Sequence, residues 1–387
     1  MKRRIFYASA VAFLFASASA FAQGGVGNTM VTEQSGTNNL QEIRQVMGMN
    51  NSAILIQAGD GNSGYILQDN GLENEAVLMQ NGNSNVAIIE QTRAEGSVAD
   101  INQDGDNNDA DVVQVDGMGN SGLIDQTGEL HDGYIEQYAG MNNIATIAQI
   151  GAGNESDIGQ YNSQNNEAVT IQDGELNLVY IQQEGGTNNS GLVGQLGNFN
   201  DAYIGQFNGE NNNAAIGQAG QNNWAELGQV DGVNSVASII QEGNGNYGGI
   251  GQVETTDSEA FIEQNGDDNF AGILQLGGDG NAAGIYQESD NNLAVIVQDV
   301  VSSSEAFIDQ RGMDNYAEIL QNVGVNNIAD IVQLGNMNEA LIRQRGDNNN
   351  ASIEQNGSNN YAEINQSGGN TMSIIQTGNS NIKIVNQ

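Results

Sequence analysis

The chain has 387 residues, with 48 Asp and Glu against nine Lys and Arg, a net charge of −39 and neither Cys nor Pro. Such an acidic surface repels nucleic acid and anionic membrane, and a chain without cysteine has no disulfide to hold it together. Low hydrophobicity with high charge alone points to disorder, but a strict internal repeat overrides that by gathering the apolar residues into one column.

In chain order, Met1-Lys2-Arg3-Arg4 leads into the largely apolar Ile5 to Phe15 and then Ala20-Phe21-Ala22 before Gln23. A basic head, a short apolar run and a small-x-small end make a secretory signal peptide over residues 1–22, cleaved ahead of Gln23. The run falls short of the ~20 apolar residues that span a bilayer, so membrane insertion is not expected. Removing the leader takes away three cations and no acid, leaving a net charge of −42. Residues 23–27 form a short N-terminal segment, and the repeats occupy 28–387.

The repeat is clearest from Gln57 to Gln80, where N-x-[A/G]-x-[I/L]-x-Q occurs twice. Its marked residues recur at every second position, which in a strand places them on one face. Glutamines ending this run fall at 34, 45, 57, 68, 80 and onward to 333 and 344 in alternating steps of 11 and 12, then at 355, 366, 376 and 387. The period is therefore 23 residues in two halves, about sixteen times over. An amphipathic helix is excluded by the spacing of two and by the abundance of Gly, Asn and β-branched residues.

Each inward column has its own task. Ile66, Ile89, Ile204, Ile216 and Ile342, two residues before the glutamine, are the expected core. A small residue four before it, usually Ala or Gly, implies a close opposing wall. Asn62, Asn74, Asn200, Asn212 and Asn338 stand six before it, and Gln68, Gln80, Gln206, Gln218 and Gln344 end the run. Polar groups facing inward are costly unless bonded, and stacked identical amides each donate to one neighbour and accept from the other. The repeat is thus expected to stack on itself in register with Asn and Gln ladders. Gly59, Gly71, Gly82, Gly197 and Gly220 precede the Asn column by three, where positive φ would let the chain reverse. Each period reads as strand, turn, strand and a turn one residue longer: an all-β fold, one coil of a β-solenoid.

Other chemistry is sparse. His131, the sole histidine, stands in the Asn column and reads as a tolerated substitution. The run Asp104-Gly-Asp106-Asn-Asn-Asp109 has the look of a calcium loop but lacks its Gly and closing Glu, and sits where a turn belongs. There is no nucleophile with an identifiable base, so an enzyme is not expected, nor is a cofactor.

The paired pattern Q-x-G-x-x-N-x-A-x-[I/L]-x-Q behind a secretory leader resembles the curlin repeat of bacterial curli, extracellular functional amyloids of biofilms. The resemblance implies a parallel two-sheet β-solenoid that polymerises head-to-tail into cross-β fibres on the cell surface, serving matrix and adhesion. It implies as partners further copies of itself, a nucleator subunit and an outer-membrane export channel. The chain differs from the familiar pattern in its many repeats, in carrying Ser in the Asn column only at Ser97, Ser235, Ser258 and Ser304, and in its short export segment. The alternative, a calcium-binding β-roll or repeat adhesin, needs a recurring Gly-Gly-x-Gly-x-Asp-x, which is absent.

Overall fold

The structure, a computed structural model, describes residues 19–387. The expected leader therefore lies outside the described residues up to residue 18. Residues 19–22 belong to the first strand, β1 (Ser19–Gln23).

Thirty-two further strands follow, among them β2 (Thr29–Ser35), β3 (Leu40–Val46), β31 (Tyr361–Ser367), β32 (Thr371–Thr377) and β33 (Ile382–Asn386). Even-numbered strands pair in parallel with the next even strand and odd with the next odd, which makes a 16-stranded and a 17-stranded sheet. The two sheets face each other, and each even–odd pair from β2 to β33 is one of about sixteen coils.

The register follows the period: Gln57 lies opposite Gln80, and Ile204 opposite Leu227, each one coil on. Burial alternates along nearly every strand, as in Ser52–Ala58, where only Ala53, Leu55 and Gln57 are fully buried. Alternation puts one apolar side chain and one small one per strand into the space between sheets. Parallel stacking then repeats that layer at ~4.8 Å, giving a rod of roughly 75 Å for sixteen coils. Ile66, Ile89, Ile204, Ile216 and Ile342 all lie in this continuous core. The small column is needed because the opposite wall is near: a Cβ on Gly64 would come 3.2 Å from Leu55 Cδ2.

The shorter turns, which run from even to odd strands, place Gly59, Gly82, Gly197 and Gly220 at φ between +108° and +127°. The longer turns work otherwise, and Gly71 is corrected accordingly: it is absent from the positive-φ positions, which fall on Asn70 (53°) and Glu73 (56°). Gly71 is held to glycine by space, since a Cβ there would overlap Asn74 Nδ2. The extra residue also extends the longer turn enough for its middle residues to pair in parallel along the corner, from Val26, Met49 and Leu72 through to Asp279. This third narrow ladder was not expected from the repeat.

Late in the chain the coil shortens while the glutamine stacking persists. Gln333 bonds Gln355, 22 residues on, and Gln355 bonds Gln376, 21 residues on, each at 2.9 Å. The turn at Gly346 (85°) and Asn348 (57°) has taken the shorter form on the side where longer turns otherwise occur. Turns absorb the change because strand length and register are tied to the buried columns.

Candidate functional site

The glutamine column comes closest to a uniform polar device. From Gln45 to Gln355 each Gln of the column donates from Nε2 to Oε1 of the glutamine one coil later, as Gln68 to Gln91 at 2.8 Å, Gln80 to Gln103 at 2.9 Å, Gln206 to Gln229 at 2.9 Å, Gln218 to Gln241 at 2.9 Å and Gln344 to Gln366 at 3.0 Å. The same nitrogen crosses to the opposite sheet's backbone: Gln68 reaches the Ser52 carbonyl at 3.0 Å and Gln206 the Ser190 carbonyl at 3.1 Å. One amide thus ties a coil to its successor and one sheet to the other. All bonds run in one sense, so the column has an acceptor end toward the N-terminus and a donor end toward the C-terminus.

The asparagine column works differently from the expected amide-to-amide ladder. Oδ1 accepts mainly from the backbone N–H of the next coil, as Asn62 does from Asn85 and Asn212 from Ser235. Nδ2 donates to the next coil's turn carbonyl, from Asn62 to Gly82, Asn74 to Ala94, Asn200 to Gly220, Asn212 to Gly232 and Asn338 to Gly357. Side-chain contact along the column occurs in places, as from Asn200 to Asn177 and from Asn338 to Asn315. The shorter Asn side chain lies beside the turn, where backbone groups outside the sheet ladder need partners.

That geometry accounts for the substitutions in the column. His131 reproduces an asparagine: Nδ1 accepts from the Asn154 N–H and Nε2 lies 3.2 Å from the Thr127 carbonyl. Burial holds its pKa below the usual value, which keeps it neutral, and the two contacts select the Nε2–H tautomer. Ser97, Ser258 and Ser304 each follow by three a residue other than glycine (Ala94, Thr255 and Val301), whose side chain takes the space of the amide. Ser235 instead meets Thr255 of the next coil, Oγ to Oγ1 at 3.0 Å. Pairing these positions in the sequence would have revealed the rule.

Ser163 with Asn166 breaks the rule, and both Ser163 Oγ and Asn166 Nδ2 are buried without a partner. Ser163→Gly should therefore stabilise the chain by about 1–2 kcal/mol, by removing one unpartnered group and making room for the other. A denaturant midpoint that stays put or falls would contradict this.

Single rungs are expected to be dispensable. Gln195 donates to Gln218 Oε1 at 2.9 Å and to the Leu178 carbonyl at 3.1 Å. Gln195→Ala leaves Gln172 and Gln218 each short of one bond, a loss of ~1–3 kcal/mol spread over a long array. Thermal unfolding should show a modest shift and no loss of the β-sheet signal.

The outward faces carry the charge. The Asp106 carboxylate accepts from the N–H and Nδ2 of Asn83 and Asp104 accepts from Asn81, so the run resembling a calcium loop is bonded into the turn stack. Among the described residues no three His, Cys, Asp or Glu are grouped to hold a metal. Aromatic side chains also stack along the outward face, Tyr180 on Tyr203 at 5.4 Å and Tyr247 on Phe270 at 4.7 Å between ring centroids. Asp111 lies between Ile88 and Tyr134 in the adjoining coils. Burial, with the Asp109 and Asp132 charges, pushes its carboxyl up from 3.8 to about 7. A folded pKa above the unfolded one means that folding takes up a proton, so stability rises as pH falls from 7 toward 4 and is lost again on the way back. Asp100, Asp109 and Asp330 shift in the same direction through burial. Urea midpoints should rise on acidification over that window, and Asp111→Asn should raise the pH 7 midpoint and flatten the slope.

The remaining feature is at the two ends of the stack. β2 and β32 each pair with a single strand, as does β33. These strands leave open edges, and the described residues contain no helix to cover them.

A family model described as the curlin associated repeat matches the chain seven times, at residues 48–78, 117–151, 186–220, 232–266, 255–288, 302–335 and 335–368. Together these stretches take in more than half of the chain. A search of the curated proteins finds no match to it.

Proposed function

Because the chain belongs to the curlin-repeat family, we propose that it is a secreted structural subunit that assembles by edge-to-edge stacking into extracellular, curli-like amyloid fibres serving biofilm matrix and adhesion. The family and the β-solenoid are structural rather than catalytic. The observation that carries the reading is the directional glutamine column between open strand edges. A stack whose coils are nearly interchangeable, with acceptors unused at one end, is extended by more of the same stack without any new kind of contact. Secretion rests on the leader read from residues 1–22, and a nucleator and an outer-membrane channel are the partners that this route calls for. No helix among the described residues is long and apolar enough to cross a membrane.

Electron microscopy of purified residues 23–387 held at neutral pH tests this. The expected result is unbranched fibres with a meridional reflection near ~4.8 Å. Monomer that persists for days in solution would overturn it.

A further inference from the structure

The edge of β3 is occupied, and by a strand that the expected cleavage removes. β1 pairs with β3 in parallel, Ala20 opposite Ile43 and Ala22 opposite Gln45. Cleavage ahead of Gln23 would take away four of the five residues of β1. The sequence has alanine at residue 22, where the strands after it in this sheet carry the ladder glutamine. Two buried oxygens of β3, Gln41 Oε1 and Gln45 Oε1, are left without a partner, although both side chains are 0 % exposed. Both belong to inward columns, and each oxygen needs a donor to offset its burial.

At the other end of the stack, β33 has the matching pattern. It lies on β31 with Ala362 opposite Lys383 and Ile364 opposite Val385. Gln387 is next in line after Asn386, opposite Gln366. Laid on β3 of another molecule in the register used throughout the sheet, Val385 meets Ile43, Lys383 meets Gln41 and Gln387 meets Gln45. The donor-bearing Lys383 and Gln387 thus fall on the two unpartnered oxygens. The companion strands agree in the same register, with Gln376 of β32 at Gln34 of β2 and Met372 at Met30. Strand order agrees as well, since the even–odd coil that ends at β33 is followed by the even–odd coil β2–β3.

We infer that the edge of β3 is the receiving side of the joint between copies, that it takes β33 of a second molecule with Lys383 opposite Gln41, and that β1 holds this edge until the leader is removed. The inference rests on the assembly proposed above and adds its register and its gate. β1 and the incoming β33 compete for the same backbone donors and acceptors, so a chain that keeps residues 19–22 presents only β2.

Cysteine crosslinking reads the register, because the chain has no cysteine of its own. In residues 23–387 carrying Glu42→Cys and Ile384→Cys, the outward pair lies directly opposite across the joint. Its Cα atoms are then ~4.8 Å apart, within disulfide range. The two positions sit at opposite ends of one molecule, so any bond is between molecules. Oxidised fibres should give a ladder of covalent multimers on a non-reducing gel, while Glu42→Cys with Ile382→Cys, two residues out of step at ~8 Å, should not. A chain beginning at Ser19 should elongate seeds about tenfold more slowly than one beginning at Gln23, if β1 covers the edge nine-tenths of the time. Fibres that form without the first crosslink, or with both equally, overturn the register. Equal elongation by the two chains overturns the gate. Absence of fibres from the unsubstituted chain overturns the assembly reading itself, which the other outcomes leave standing.

Discussion

Ile204→Asp should collapse the middle of the solenoid, with a loss of stability well beyond that of any ladder residue. Ile204 is 0 % exposed, at the centre of Asp201–Phe207 and between Ile181 and Leu227 of the adjoining coils. Loss of the buried aliphatic chain alone costs ~2–5 kcal/mol. The carboxylate adds a desolvation cost that no nearby cation offsets, and it would meet part of that by staying protonated. Because each coil contacts only its neighbours, the defect divides the stack, and the two parts lose their mutual support. Calorimetry should replace one cooperative transition by a broad or split one at lower temperature, and elongation should be slowed in the same samples. Ile204→Val, which keeps the side chain apolar, should cost only ~0.5–1.5 kcal/mol. If Ile204→Asp melted like Gln195→Ala, the inward assignment of the isoleucine column would be wrong.

Gly197→Ala should be the other severe change, despite adding a single methyl group. Gly197 stands at φ +116° in the shorter turn, between Gly174 and Gly220 of the coils on either side. A Cβ there would overlap the Gly220 carbonyl oxygen and come within 3.2 Å of the Gly220 nitrogen. Both are backbone atoms held by the stack and cannot rotate away. The substitution has to bear an unfavourable φ and also push two coils apart, for a cost of several times the ~1 kcal/mol usual for an alanine at left-handed φ. Gly194→Ala, three residues earlier, is the control: a Cβ on Gly194 meets nothing within 4 Å. Urea midpoints of the pair should differ widely, the first far below the unsubstituted chain and the second level with it or above. Equal midpoints would show that the turn relaxes more readily than its stacked carbonyls allow.

The repeat by itself determined the strands, the core and the register. A spacing of two assigns Ile204, Ala202 and Gln206 to one face, and steps of 11 and 12 allow like residues to meet only if whole coils stack. These are local periodicities compounded many times over, so a single sequence carries them without ambiguity. The shorter turns were legible for the same reason, because Gly197 must adopt a conformation that few other residues take. What the tertiary structure decided is what each polar group bonds. Asn and Gln both looked like members of amide ladders. Only the distance from each column to the turn makes Gln68 pair with Gln91 while Asn62 caps the backbone of the next coil. Gly71 looked like Gly59, yet the extra residue ahead of it moves the left-handed conformation to Asn70 and Glu73 and leaves Gly71 with a steric task instead. The corner ladder through Met49 and Leu72 and the hold of β1 on β3 likewise arise between coils, from contacts 23 residues apart whose geometry no single repeat contains.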